Sequence, residues 1–199
     1  MTRNRWLSLA ALAGLSLAAC EGGSTSTPDP VVREDQLVFI REAADAPPLV
    51  SRDTSFWVKV EDGRDVRLPY VNGKPCLEFK IPGNSLQRRP DGTAFRRGDS
   101  VRITVRLPDA GRFSFEFQPS GLRFDPDRPA ELRIRYTYAN RDFNGDGRVD
   151  DADRAFDFGV WRQEASGQPW AGLVTLRDAD LEEVRADVLG FTKFAVAGN

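Results

Sequence analysis

The chain has 199 residues, with 28 basic and 30 acidic side chains, no histidine and two cysteines, and 40% of its residues are hydrophobic. This length and apolar content are sufficient for one large or two small domains, while a net charge of −2 gives no basic excess for binding nucleic acid. Without histidine there is no Ser-His-Asp or Cys-His dyad and no histidine-bound metal, so a histidine-dependent hydrolase is excluded.

The first twenty residues resemble the signal of a bacterial lipoprotein. Two arginines precede an apolar run over residues 6–19, which is too short to span a bilayer as a stable helix. The run ends in Leu-Ala-Ala-Cys, similar to the lipobox, whose cysteine is acylated when the signal is removed. The resemblance implies that residues 1–19 are cleaved and that lipid on Cys20 holds the protein at a membrane. The alternative is an ordinary secretory signal cut after Ala19.

Residues 20–36, from the lipidated cysteine onward, are rich in Gly, Ser, Thr and Pro and are predicted to be a flexible tether. The predicted location is therefore the cell envelope, with the lipid anchor in the outer membrane or at the periplasmic face. The membrane is then one partner of the protein, through Cys20.

Once Cys20 is acylated, Cys76 is the only thiol left, and one thiol makes no internal disulfide. In the run CLEFKI, Cys76 alternates in step with Glu78 and Lys80, which predicts a partly exposed position on the outer face of a strand. With no histidine to activate it, an inert strand cysteine is favoured over a reactive thiol.

Beyond the tether, apolar and polar residues alternate with a period of two, and turn signals such as Asn72-Gly73 and Asp91-Gly92 separate the runs. The alternating runs cover residues 37–42, 56–60, 76–81, 100–107, 113–117, 132–138, 158–164 and 183–196. Short strands at even spacing predict an all-β fold, an antiparallel, Ig-like β-sandwich with at most a short helix. The simplest partition is one domain over residues 37–199.

Residues 142–153, DFNGDGRVDDAD, match the twelve-residue calcium loop of EF-hands and dockerins. Oxygen-bearing side chains occupy positions one, three and five, and a glycine at position six permits a sharp turn. The predicted ligands are Asp142, Asn144, Asp146, the carbonyl of Arg148, Asp150 and Asp153. Hard oxygen donors on a flexible backbone favour Ca²⁺ over Mg²⁺. The alternative is an acidic, glycine-rich surface turn.

Three further features of the loop indicate a structural clip of modest affinity. Asp153 replaces the usual bidentate glutamate, so a dissociation constant of roughly 10⁻⁵–10⁻³ M is expected. Val149 is expected to pack into the core, and residues 151–156 to form a short exit helix. The run at residues 158–164 leaves no room for a second EF-hand helix, which predicts an insertion between two strands.

Residues 117–139 resemble the later half of the β-sandwich module of zonula-occludens scaffolds, ankyrins and netrin receptors, which also occurs in bacterial surface proteins. The shared features are a P-x-G-L-x-F turn followed by a strand of the type PAxLxIxY. Trp161 and Trp170 match the next stretch of the module, and GFTKFAV at residues 190–196 matches its closing strand. The resemblance implies a β-sandwich, from which the calcium loop is a departure.

Together these features predict a non-catalytic lipoprotein of the cell envelope, a calcium-stabilised β-sandwich in surface binding or envelope structure. Its further partner is an unknown protein or glycan, and nucleic acid is excluded. One alternative is a glycan-binding module, for which Trp57, Trp161 and Trp170 are the candidate platform, although buried core tryptophans are favoured. The other is a hydrolase of the glycoside type that uses paired carboxylates, but no pair stands in an identifiable catalytic context.

Overall fold

The computed structural model describes residues 30–109 and 111–199. The signal segment, Cys20 and the tether up to residue 29 lie outside the described residues. The strands are β1 (Val31–Val32), β2 (Val38–Phe39), β3 (Asp53–Lys59), β4 (Arg64–Pro69), β5 (Pro75–Ile81), β6 (Leu86–Arg88), β7 (Ser100–Arg106), β8 (Ser114–Gln118), β9 (Arg123–Phe124), β10 (Ala130–Arg135), β11 (Gly159–Gln163), β12 (Trp170–Gly172), β13 (Thr175–Asp178), β14 (Glu183–Val188) and β15 (Lys193–Gly198). Helix α1 (Asp151–Ala155) and a 3₁₀ turn, Glu34–Gln36, complete the elements of these ranges. No helix in these ranges has the length and apolarity needed to cross a bilayer.

The strands form two main antiparallel sheets. The larger has the order β1-β12-β11-β15-β8-β7-β3, and β2 also pairs with β15. The smaller has the order β13-β14-β10-β5-β4, and a separate ribbon joins β6 to β9. The alternation of apolar and polar residues along each strand gives a sheet one buried and one exposed face. In β7, for example, Ile103 and Val105 are buried while Arg102 and Arg106 are exposed.

Aromatic side chains fill the space between the two sheets. Phe79 of β5 in the smaller sheet lies 4.8 Å, ring centre to ring centre, from Phe117 of β8 in the larger one. Phe191 and Phe194 also pack against Phe117, at 5.2 and 5.6 Å. Because one face of each sheet is buried against the other, the predicted all-β antiparallel sandwich is confirmed.

The folded elements begin earlier than the predicted boundary at residue 37. Val31 pairs with Ala171 of β12, and the amide of Gly172 donates to the carbonyl of Pro30 at 2.8 Å. Residues 31–36 are thus a strand and a 3₁₀ turn rather than the end of a free tether. The two consecutive β-branched valines of β1 explain the difference, since they suit the edge that β12 offers.

Candidate metal centre

The acidic loop over residues 142–153 lies between β10 and β11 and is attached to the core by its second residue. Phe143 is buried, with its ring 6.1 Å from that of Tyr136 and 5.1 Å from that of Phe158. Val149 does not pack into the core as predicted, because its side chain is 66% exposed. Phe143 already fills the apolar space under the loop, and residues 145–150 are exposed to solvent.

Side-chain oxygens close the first half of the loop by accepting backbone hydrogen bonds. Asp142 Oδ2 accepts from the amide of Gly147 at 2.9 Å, and Asn144 Oδ1 from the amide of Asp146 at 3.0 Å. Asp146 Oδ1 accepts from the amide of Arg148 at 2.8 Å. Gly147 has a φ of +86°, so the glycine at position six adopts the left-handed conformation that the sharp turn requires. Four of the predicted ligand residues therefore share one tightly turned segment.

Asp153 joins the two ends of the loop. Its side chain is buried, and Oδ1 accepts from the amides of Phe143 at 2.7 Å and Asn144 at 3.1 Å. Oδ2 accepts from the amide of Asp150 at 2.8 Å. The hydrogen bond from Asp150, together with those from the other two amides, lowers the pKa of the Asp153 carboxyl although burial opposes this. The ionised carboxylate is thus the form that the fold stabilises.

Asp150 begins the helix that follows the loop. Its Oδ1 accepts from the amide of Ala152 at 2.8 Å, which caps the N-terminus of α1. The predicted short exit helix is confirmed, at Asp151–Ala155. Two of the predicted ligands, Asp150 and Asp153, therefore also form the capping box of α1.

Two oxygen atoms in the loop are suited to a cation. Asp142 Oδ1 is buried and has no hydrogen-bond partner, and Asp153 Oδ2, with one amide bonded, keeps a second lone pair. However, no three acidic or thiol side chains come together as a metal-ligand group anywhere in the described ranges. The loop is closed by the amide hydrogen bonds described above.

The loop also borders the N-terminal segment of the fold. A groove of about 670 Å³ separates Asp142 and Asn144 from Glu34 and Arg112. Gly145 of the loop and Val38 of β2 both line this groove, and a Cβ added at Gly145 would lie 3.2 Å from Val38 Cγ1. The loop therefore stands beside β2 as well as between β10 and β11.

Two residues that the calcium-loop pattern does not indicate, one before the loop and one within it, help to place the ligands. Asn140 Oδ1 accepts from the amide of Asp142 at 3.1 Å, and the amide of Asn140 donates to the carbonyl of Arg41 at 2.8 Å. Phe143 is the second, through the ring contacts already given. The sequence does contain a signal for Asn140, because an asparagine two positions before the loop is typical of an Asx turn. Nothing in the calcium-loop pattern predicts that Phe143 is buried.

The three tryptophans that could form a glycan platform have different environments. Trp161 and Trp170 are buried, and Trp161 Nε1 donates to the carbonyl of Ala197 at 2.7 Å, which confirms the preference for core tryptophans at these two positions. Trp57 is 60% exposed on the outer face of β3, where it pairs with Arg102 of β7.

Two of the carboxylates that line a groove on the smaller sheet are paired with arginines. Glu78 lies 3.4 Å from Arg67, and Glu131 lies 2.6 Å from Arg133. Glu42 is different, because burial raises the pKa of its carboxyl and Tyr70 donates a hydrogen bond to it at 3.3 Å.

Cys76 is fully buried, so the predicted position on a partly exposed face is wrong. The chain between residues 42 and 50 crosses the end of the β4–β5 hairpin, where the amide of Val71 donates to the carbonyl of Pro48 at 2.9 Å. Tyr70 and Glu42 lie beside the thiol under this covering segment, and burial raises the pKa of Cys76 to about 12.

The Cys76 thiol is therefore expected to resist alkylation in the native protein, because it is both covered and protonated near neutral pH. Mass spectrometry after treatment with iodoacetamide at about pH 8 should show no modification of Cys76 under native conditions and complete modification in denaturant. Native-state modification at the rate of a free thiol would contradict the burial of this residue.

Comparison of the chain with protein-family models, curated proteins and solved structures found no match.

Proposed function

We propose that this protein is a non-catalytic lipoprotein of the cell envelope whose β-sandwich is stabilised by Ca²⁺ bound in the loop over residues 142–153. Lipid on Cys20 holds it at the membrane, and the sandwich acts in surface binding or envelope structure. The lipobox and the tether support the anchor. The buried, unpartnered Oδ1 of Asp142 in a loop of calcium-binding pattern is the observation that carries the calcium site.

The proposed ligands are those predicted from the sequence, with one refinement for Asp153. Oδ1 of Asp153 already accepts two amide hydrogen bonds, which use both of its lone pairs, whereas Oδ2 accepts one. Asp153 therefore offers a cation one oxygen rather than two. A single oxygen in place of a bidentate carboxylate is consistent with the weak affinity expected for this loop.

Bound Ca²⁺ would draw the carboxylates of the loop together and offset their charge. Because the loop connects β10 to β11 and touches Val38 of β2, ordering it links the two sheets to the N-terminal segment. The role is a structural clip, since the loop is followed by one short helix and then directly by a strand.

Calcium is expected to raise the melting temperature of the protein, measured by circular dichroism in Ca²⁺ and in chelator. At about 10 mM Ca²⁺ and a dissociation constant near 10⁻⁴ M, binding stabilises the fold by roughly 2.7 kcal/mol, or about 5–10 °C. Equal melting temperatures in Ca²⁺ and in chelator would overturn the calcium site.

Two matched variants assign the effect to the loop. In Asp146→Asn the side-chain oxygen can still accept from the amide of Arg148 and can still bind the ion, but one negative charge is lost, so the calcium shift should become smaller. Asp127→Asn removes an exposed carboxylate outside the loop and should keep the full shift. Equal loss of the shift in both variants would indicate a general charge effect instead of a site.

One feature of the surface favours a glycan as the partner. Trp57 is exposed on a polar sheet face, where the hydroxyls of Ser55 and Thr104 lie 2.7 Å apart on the same two strands. An exposed indole beside hydroxyl groups is suited to stacking on a sugar ring. This makes glycan binding the second candidate for the activity of the anchored sandwich.

A further inference from the structure

Exposed hydrophobic side chains concentrate on one side of the sandwich. Those on or beside β1 and the β12–β14 segment are Val31, Val174, Leu176, Leu181 and Leu189. Val174 is the most exposed of them, at 84%. The other large exposed hydrophobics of the described ranges, Val50, Trp57, Val71 and Val149, lie elsewhere. Single exposed apolar residues need no explanation, but a concentration of them marks an interaction surface.

Three of these side chains line one groove together with arginines. Val174, Leu176 and Leu189 border a groove of about 550 Å³, whose lining also includes Arg162, Arg185, Glu131 and Asp187. The groove lies between β14 of the smaller sheet and β11 of the larger one. Arg162 lies 3.1 Å from Glu164 and Arg185 lies 3.8 Å from Glu131, so both guanidinium groups are paired within the protein. The exposed apolar side chains are therefore the part of this surface that suits the hydrocarbon boundary of a bilayer.

The tether enters the fold on this same side. β1 pairs with β12, and β12 leads through Val174 directly into β13, the edge strand of the smaller sheet. Nine residues separate Cys20 from Pro30. The length of the chain sets an upper limit of about 35 Å on this connection. The lipid thus holds the β1–β12 edge close to the bilayer and keeps its effective concentration there high.

We infer that the side formed by β1 and β12–β14, with Val174, Leu176 and Leu189 at its centre, docks on the surface of the bilayer that carries the lipid anchor. This inference rests on the proposed lipidation of Cys20. Docking in this orientation leaves the opposite edge, β3 and β4, with the exposed Trp57, directed away from the membrane.

The test places a fluorescent label at two equally exposed positions in the full, lipidated protein. Leu176→Cys lies in the proposed surface and Val71→Cys near the opposite edge of the same sheet, and the native side chains are 60% and 59% exposed. Cys20 is acylated and Cys76 is buried, so the introduced thiol is the one that reacts. The protein is incorporated into vesicles of phosphatidylethanolamine and phosphatidylglycerol that contain a lipid-phase quencher.

The expected result is that the label at position 176 is quenched several-fold more strongly than the label at position 71. Equal quenching of the two labels in protein that floats with the vesicles would overturn the docking and leave the lipid anchor intact. Protein that does not float, with Cys20 unmodified by mass spectrometry, would overturn the anchor and the docking together.

Discussion

Replacing Asp153 with alanine is expected to lower the melting temperature by on the order of 10 °C in chelator as well as in Ca²⁺. The Asp153 carboxylate accepts hydrogen bonds from the amides of Phe143, Asn144 and Asp150, and its side chain is only 2% exposed. Alanine leaves these three donors without an acceptor inside the loop. Thermal unfolding of the two proteins, with and without Ca²⁺, measures the loss.

The Asp153 variant separates a structural role from a ligand role. If Asp153 acted only as a calcium ligand, the variant would lose stability in Ca²⁺ and match the native protein in chelator, which would contradict the prediction. Asp127→Asn, an exposed carboxylate outside the loop, is the control and should unfold like the native protein in both conditions.

The difference in melting temperature between the native protein and Asp153→Ala should also depend on pH. Because the folded pKa of Asp153 is lowered, its stabilising contribution is fully present above the ordinary aspartate value of about 4 and is lost as the pH falls through the lowered folded value. The difference in melting temperature between the native protein and Asp153→Ala should therefore shrink in acid and stay constant above about pH 5.

Most of the strands that the sequence predicted have one buried face, but the run at residues 37–42 contains only the two-residue strand β2, in which neither side chain is fully buried. β10 alternates completely, with Leu132 and Ile134 buried and Arg133 and Arg135 partly exposed, and the period of two is visible in its sequence. Three of the strands outside the predicted runs carry no such signal. β13 has no fully buried side chain, and β1 and β9 have two residues each. Their pairing is fixed by neighbouring strands, which a local pattern does not contain.

The loop shows the same limit at the level of single residues. The spacing of oxygen-bearing side chains and the glycine at position six predicted a turned, acidic segment, and the backbone conformation of Gly147 agrees with it. The calcium-loop pattern predicted that Val149 packs into the core, whereas Phe143 is the loop residue whose side chain does so. For Cys76, alternation in β5 predicted an outward position, but a segment distant in the sequence covers that end of the strand. Both differences come from tertiary packing.

Replacing Phe117 with alanine is expected to reduce the free energy of unfolding by about 3–5 kcal/mol. Phe117 is fully buried, and its ring lies 4.8 Å from that of Phe79 in the opposite sheet, 5.2 Å from Phe191 and 5.6 Å from Phe194. Truncation removes the ring that joins the two sheets and leaves a cavity that the neighbouring aromatic side chains cannot fill without leaving their own contacts. Denaturant unfolding measures the change.

The matched control for this prediction is Phe95→Ala. Phe95 is only partly buried and packs against the guanidinium of Arg89, 4.2 Å from its ring centre, so its loss should cost less than about 1.5 kcal/mol. Similar losses in the two variants would contradict a core centred on Phe117.

The Phe117 variant should keep the calcium shift of the native protein, because the carboxylates and amides that close the loop do not involve this cluster. Loss of the shift together with the core would instead show that ion binding requires intact packing between the sheets.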